Sequence, residues 1–128
     1  NLFNREPEEE GILRQAKENG TGFIAFSPLA QGLLTNRYLN GIPEDSRMAR
    51  GGFLKKEQLT EEVLSKIKVL NKMAEERGQT LAEMALAWVL KDDLVTSVII
   101  GASSVAQLED NLKAIRNTSF TKEELRRL

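Results

Sequence analysis

Two short apolar runs constrain this chain more than anything else in it: Gly22-Phe23-Ile24-Ala25-Phe26 and Val98-Ile99-Ile100, the second closed by Gly101. Their residues are mostly β-branched or aromatic and do not alternate with polar ones. They stop at Ser27-Pro28 and at Gly101, the pattern of strands buried on both faces. Such strands need partners along both edges and helices over both faces, and two parallel strands cannot supply them to each other. The expectation is the C-terminal portion of a larger α/β barrel or sheet, with self-association into a homo-oligomer as the alternative way to cover the open surfaces.

The rest of the chain reads as helix and loop. Pro7 followed by Glu8, Glu9 and Glu10 suits a first helical turn, where proline's missing N–H costs nothing and acidic groups meet the positive end of the dipole. That helix is expected to run to Asn19-Gly20 and to bury Ile12, Leu13 and Ala16. Leu59, Val63, Ile67, Leu70 and Ala74 recur at spacings of three and four between about Lys56 and Arg77, a long amphipathic helix stopped by Gly78. Thr80 with Glu83 forms a capping box ahead of Leu81, Met84, Ala85 and Trp88, and Trp88 is read as core rather than as a cofactor platform. A helix from Ser103 or Ser104 is expected to bury Val105, Leu108, Leu112 and Ile115, and Thr121 with Glu124 caps a short terminal one. Residues 34–53 show no period and carry Gly41-Ile42-Pro43 and Gly51-Gly52, so they are expected to form a long surface loop. The order of helix, strand, loop, two helices, strand and two helices is that of a parallel α/β fold.

Composition removes several classes of function. Eighteen basic against nineteen acidic residues give a formal net charge of -1, which favours no nucleic-acid partner. The chain has no cysteine and no histidine, so thiol chemistry, disulfides, zinc-finger ligation and imidazole catalysis are excluded and no metal site is expected. No apolar run approaches the roughly 20 residues a membrane helix needs. The opening Asn1-Leu2-Phe3-Asn4-Arg5 resembles neither a signal peptide nor a natural start, which suggests a piece of something longer.

Two segments could carry chemistry, each directly after an expected strand, where α/β folds keep their sites. In Phe26-Ser27-Pro28-Leu29-Ala30-Gln31-Gly32-Leu33-Leu34 a hydroxyl, a turn-forming proline and a permissive glycine can bring backbone N–H groups close to an anion, or can simply make a tight turn. In Ile100-Gly101-Ala102-Ser103-Ser104 a small-residue turn leads into a helix N-terminus, a generic phosphate site. Gln107, Asp110 and Asn111 share one stripe of that helix, turned away from Leu108, Leu112 and Ile115; they suit the edge of an adenine or, equally, a solvated face behind a cap formed by Ser104 and Gln107. Arg37 and Arg47 in the loop could each hold a phosphate. Tyr38, a lone phenol without a histidine or a clear lysine partner, is weak support for a general acid.

Taken in order, Asn1-Leu2-Phe3-Asn4-Arg5, the segment from Phe26 to Leu34, and Ser97-Val98-Ile99-Ile100-Gly101-Ala102-Ser103 with Gln107-Leu108-Glu109-Asp110-Asn111-Leu112 resemble the C-terminal portion of an aldo-keto reductase. They correspond to the stretch leaving the sixth barrel strand, the loop after the seventh, and the eighth strand with its helix. Arg37-Tyr38-Leu39 and Gly41-Ile42-Pro43 with Ser46-Arg47 resemble the branch containing potassium-channel β subunits and bacterial glyceraldehyde 3-phosphate reductases.

This resemblance implies the C-terminal part of a (β/α)8 TIM barrel, strands seven and eight with their surrounding helices, in a cytoplasmic NADPH-dependent oxidoreductase that reduces aldehydes or ketones to alcohols. By position it implies Ser27, Pro28, Leu29 and Gly32 at the pyrophosphate and Arg37 and Arg47 near the 2′-phosphate. Gly101, Ser103 and Gln107 would lie around the adenosine phosphate and ribose, and Asp110 and Asn111 at the adenine. Asp110 stands where the family usually has glutamate, one methylene longer. The family's Asp, Tyr, Lys and His catalytic set has no match here and the nicotinamide-stacking tyrosine would precede Asn1, so no catalytic residue is expected in this chain and the small carbonyl substrate is left undefined. A nucleotide-sensing binding module and an inactive fragment are the alternative functions.

Overall fold

A computed structural model of the chain describes residues 1–44, 46, 48, 49, 51 and 56–128. Its elements are α1 (Glu6–Glu9), α2 (Ile12–Glu18), β1 (Ile24–Ala25), 3₁₀ turns at Ala30–Gly32, Asn36–Tyr38 and Lys56–Gln58, α3 (Glu61–Glu76), α4 (Leu81–Val89), β2 (Ser97–Val98), α5 (Val105–Leu112), a 3₁₀ turn at Lys113–Arg116 and α6 (Lys122–Arg127). The expected first helix is therefore two, broken where Gly11 takes φ +78°. Leu13 is buried there, but Ile12 is exposed.

β1 and β2 pair in parallel, with Ile24 opposite Ser97 and Ala25 opposite Val98. Thr96 N–H donates to Phe23 O at 2.9 Å and Ile99 N–H to Ala25 O at 2.8 Å, extending the ladder past both strands. The strands are shorter than their apolar runs and are covered on one face only, which corrects the expectation of burial on both. Ala25 and Val98 pack against the helical core, whereas Ile24 is 60% exposed, Phe26 76% and Ile99 60%. The alternation follows from the period of two in side-chain direction: one set meets helices, and no layer among the described residues lies against the other.

α4 is the centre of the molecule. Every residue of it except Ala82 is buried, and it packs against α3, α5 and the turn Lys113–Arg116. A helix apolar on every side has no face to offer water, so its neighbours must surround it. The capping box is present, with Glu83 N–H donating to Thr80 Oγ1 and Thr80 N–H to Glu83 Oε2. Trp88 is core, as its helical spacing predicts, and lies under two cations, the Arg5 guanidinium at 5.1 Å and Lys91 Nζ at 4.3 Å. Lys91 pairs with Glu8 at 2.6 Å, and Arg5 donates to the Leu128 carbonyl, so this tryptophan joins the two ends of the chain.

Two further expectations are corrected. Residues 34–53 are not merely a surface loop, because Leu34, Tyr38, Ser46 and Met48 are buried and the hydrophobic ones join the core. On α5 the expected burial is inverted: Val105 is 73% exposed, Leu108 41%, Leu112 52% and Ile115 67%, while Asn111 and Ala114 are buried. The helix packs against α4 and buries Asn111 on its polar side, while its apolar stripe is largely exposed.

Arg77, at the end of α3, fastens the C-terminal segment. Its 5%-exposed side chain donates to Gln79 Oε1 (2.9 Å), Glu124 Oε1 (2.7 Å) and Ser119 O (2.9 Å), and its guanidinium lies 3.8 Å from the centre of the Phe120 ring. Replacing it by methionine leaves Glu124, Gln79 Oε1 and the Ser119 carbonyl short of a donor, and is expected to cost about 2–4 kcal/mol in denaturant unfolding; a loss below about 0.5 kcal/mol would show that the cluster carries no stability. The N–H of Thr121 and then Arg77 hold the Glu124 carboxyl below its ordinary pKa. Its stabilising contribution is thus complete above the ordinary carboxylate pKa and is lost as pH falls through the lowered folded value. Glu124→Gln should flatten the acid limb of a stability-against-pH curve, and an unchanged limb would exclude that role.

Candidate functional site

The groove at the C-terminal ends of β1 and β2 has a volume of about 780 Å³, within the range of small-molecule and cofactor sites. It gathers almost every residue singled out in the sequence: Ser27, Pro28, Leu29, Gly32 and Arg37 from the first segment, and Gly101, Ser103, Gln107, Asp110 and Asn111 from the second. Parallel pairing of the strands accounts for this, since it brings both following loops to one end of the sheet. Arg47 lies outside the described residues. Sequence reasoning missed Gln31, Thr35, Asn36, Thr80 and Ala82 as lining residues.

The first wall is a strained loop. Ser27, Ala30 and Gln31 are non-glycine residues at φ +50°, +47° and +58°, each costing on the order of 1–3 kcal/mol that surrounding structure must offset. Gly32 follows at φ +102°, a conformation that residues other than glycine rarely adopt. The loop is tied internally by Ala30 N–H to Ser27 O (3.1 Å), Gly32 N–H to Leu29 O (2.9 Å) and Leu34 N–H to Leu29 O (3.1 Å), and from outside by Asn1 Nδ2 to Ser27 O (3.0 Å). Strain of this kind concentrates at ligand clamps. Thr35 caps the turn Asn36–Tyr38, which presents Arg37, while Tyr38 is 1% exposed and packs in the core.

The second wall is the start of α5. Ser104 caps the helix, its Oγ accepting from Gln107 N–H at 3.2 Å. Gln107 Oε1 accepts from both Ser103 N–H (2.7 Å) and Ser103 Oγ (3.0 Å), so the turn between β2 and the helix is held by the helix itself. Asp110 is bound to Lys113 Nζ at 2.5 Å, and that hydrogen bond and charge raise the lysine pKa. Next to it, Asn111 is 5% exposed and its Nδ2 has no hydrogen-bond partner; among the described residues it is the one buried side-chain polar atom left unpaired. Buried amides are almost always satisfied, and this unpaired one belongs to a residue of the groove lining.

A second, mainly apolar cavity of about 230 Å³ lies beside β1 between the start of the chain and α4, lined by Leu13, Phe26, Trp88 and Val89 among others. Of the residues expected at the cofactor site it touches only Ser27. Among the described residues no cluster of acidic side chains is arranged to hold a metal ion, and no helix is long and apolar enough to cross a membrane.

The sequence is 54% identical to L-glyceraldehyde 3-phosphate reductase of Escherichia coli (strain K12) over 129 aligned residues, covering 98% of this chain and 37% of that protein. It is 40% identical over 118 residues to a probable voltage-gated potassium channel subunit beta of Arabidopsis thaliana, covering 90% of this chain and 36% of that one. The chain thus spans little more than a third of the curated relatives it matches. In three dimensions it is similar to a glycerol dehydrogenase from Gluconobacter oxydans (TM-score 0.76, 29% identity, 98% of this chain and 38% of that one). It is also similar to the holo form of an aldo-keto reductase from Bacillus halodurans (TM-score 0.62, 28% identity, 97% and 37%). These solved neighbours are members of a (β/α)8 barrel family. The model of the aldo/keto reductase family matches residues 1–128, the whole length of the sequence, and the chain belongs to that family.

Proposed function

We propose that this chain is the C-terminal part of an NADPH-dependent oxidoreductase of the (β/α)8 barrel type, and that it supplies the adenosine and pyrophosphate half of the cofactor site. The observation that carries the reading is Asn111, a residue of the same groove as the strained loop after β1, whose buried Nδ2 has no partner within the chain. The exposed inner face of the two strands and the open stripe of α5 support the larger barrel, since both are apolar surfaces that another layer would cover.

The donor set fits an extended anionic nucleotide. Ser27, Leu29 and Gly32 form the turn for the pyrophosphate, and Arg37 with Arg47 supplies the guanidinium groups for the 2′-phosphate, which a planar fork of donors can hold bidentately. Ser103 stands at the start of α5, where free N–H groups and the helix dipole favour a phosphate. Gln107 keeps Ser103 turned into place, and Asn111 donates to the adenine edge. Asp110, already committed in part to Lys113, contributes its remaining acceptor capacity. When bound, the nicotinamide supplies a hydride to the carbonyl of an aldehyde or ketone. This chain binds and orients; the phenol that protonates the developing alkoxide belongs to the rest of the barrel.

Similarity to a channel subunit raises the rival reading of a nucleotide-sensing module without turnover. The higher identity to the reductase favours the enzyme. Turnover of a small phosphorylated aldehyde by the complete protein supports it, and nucleotide binding without turnover supports the module. On its own the 128-residue chain is expected to oxidise no NADPH, and steady oxidation by the purified chain with an aldehyde present would refute the division of labour.

Asn111→Leu is expected to stabilise the ligand-free complete protein by about 1 kcal/mol, by removing an unsatisfied buried donor, and to weaken NADPH about tenfold or more. Calorimetry and fluorescence titration measure the two; a loss of stability with unchanged affinity would contradict the role. Arg37→Ala and Arg47→Ala should each weaken NADPH more than NADH, because only NADPH carries the 2′-phosphate, and equal losses would refute that placement.

A further inference from the structure

Thr35 joins the two parts of the groove wall. Its hydroxyl donates to Gly32 O at 2.7 Å and accepts from Arg37 N–H at 3.2 Å, and the residue lines the groove. A helix cap needs only the second of these bonds. The first reaches back to the loop whose backbone is left-handed at Ser27, Ala30 and Gln31, a conformation that persists only where its surroundings over-determine it. The loop's own backbone bonds, from Gly32 and Leu34 to Leu29 O, hold its curvature but do not tie it to the turn that follows. Thr35 supplies that tie, and Tyr38, buried at the end of the same turn, anchors it to the core.

We propose that Thr35 is a positioning residue that sets the spacing between the pyrophosphate loop and Arg37, and so favours a nucleotide carrying phosphate at both places. This rests on the cofactor reading above. The hydroxyl does two things at once: it turns the Gly32 carbonyl toward Thr35, and it fixes where the Arg37 backbone begins. Valine has the same shape and can do neither, whereas serine keeps both bonds.

The test is a fluorescence titration of the complete protein with NADPH and with NADH, accompanied by thermal unfolding. Thr35→Val is expected to raise the Kd for NADPH about tenfold, as the loss of one or two hydrogen bonds predicts. The rise for NADH should be smaller, and Thr35→Ser should stay within about twofold of the wild type for both. A general weakening of the fold would not separate the two nucleotides and would not be rescued by serine. Unaltered NADPH binding by Thr35→Val, or an equal loss for both nucleotides without rescue, overturns the assignment alone. If the wild type binds neither nucleotide, the cofactor reading falls and takes this one with it. If Thr35→Val and Thr35→Ala both fail to fold while Thr35→Ser folds, the residue serves the fold and the assignment is overturned.

Discussion

A helix with no polar face must be enclosed, and the enclosure of α4 organises the rest of this chain. Its residues from Leu81 to Val89 are almost all buried, so α3, α5 and the turn Lys113–Arg116 surround it, while the covered faces of β1 and β2 join the same core through Ala25 and Val98. Burial of an apolar side chain is worth about 1.5–3 kcal/mol, and α4 presents Leu81, Met84, Leu86, Trp88 and Val89 in nine residues. Its capping box starts the helix at a defined residue, which in turn sets where Thr80 and Ala82 meet the groove.

From that arrangement the groove follows. α5 leans on α4 through Asn111, the side of it that has least to gain from apolar burial. The cost is an amide donor taken out of water without a partner. On the opposite wall, three non-glycine residues in the left-handed region are held by hydrogen bonds that converge on Leu29, Gly32 and Thr35. Both walls of the groove therefore include residues that carry unfavourable local terms. Strain and unpaired polar groups of this kind are the features that the proposed cofactor site rests on.

What was legible in the sequence was local. Thr80 with Glu83, Ser104 and Thr121 with Glu124 all cap as their spacing indicates, because a cap is decided within four residues. The lining of the groove was legible because parallel strands of an α/β fold deliver the loops after them to one end. The side of α5 that is covered was not legible: a stripe of Val105, Leu108, Leu112 and Ile115 shows only that some neighbour suits it, and here the stripe is left largely exposed. Arg77 was missed because its partners lie 40 to 47 residues away. Leu34, Tyr38 and Met48 were missed because irregular backbone buries side chains without a period to betray it.

The central claim is that Asn111 and the loop at residues 27–32 face the two halves of one dinucleotide. The most direct measurement is a crystal structure of the complete protein grown with NADP. The account predicts Asn111 Nδ2 within hydrogen-bond distance of the adenine, with the pyrophosphate against residues 27–32 and the loop in the conformation described here. An adenine bound elsewhere, or an Asn111 amide still unpaired beside a bound nucleotide, would contradict it.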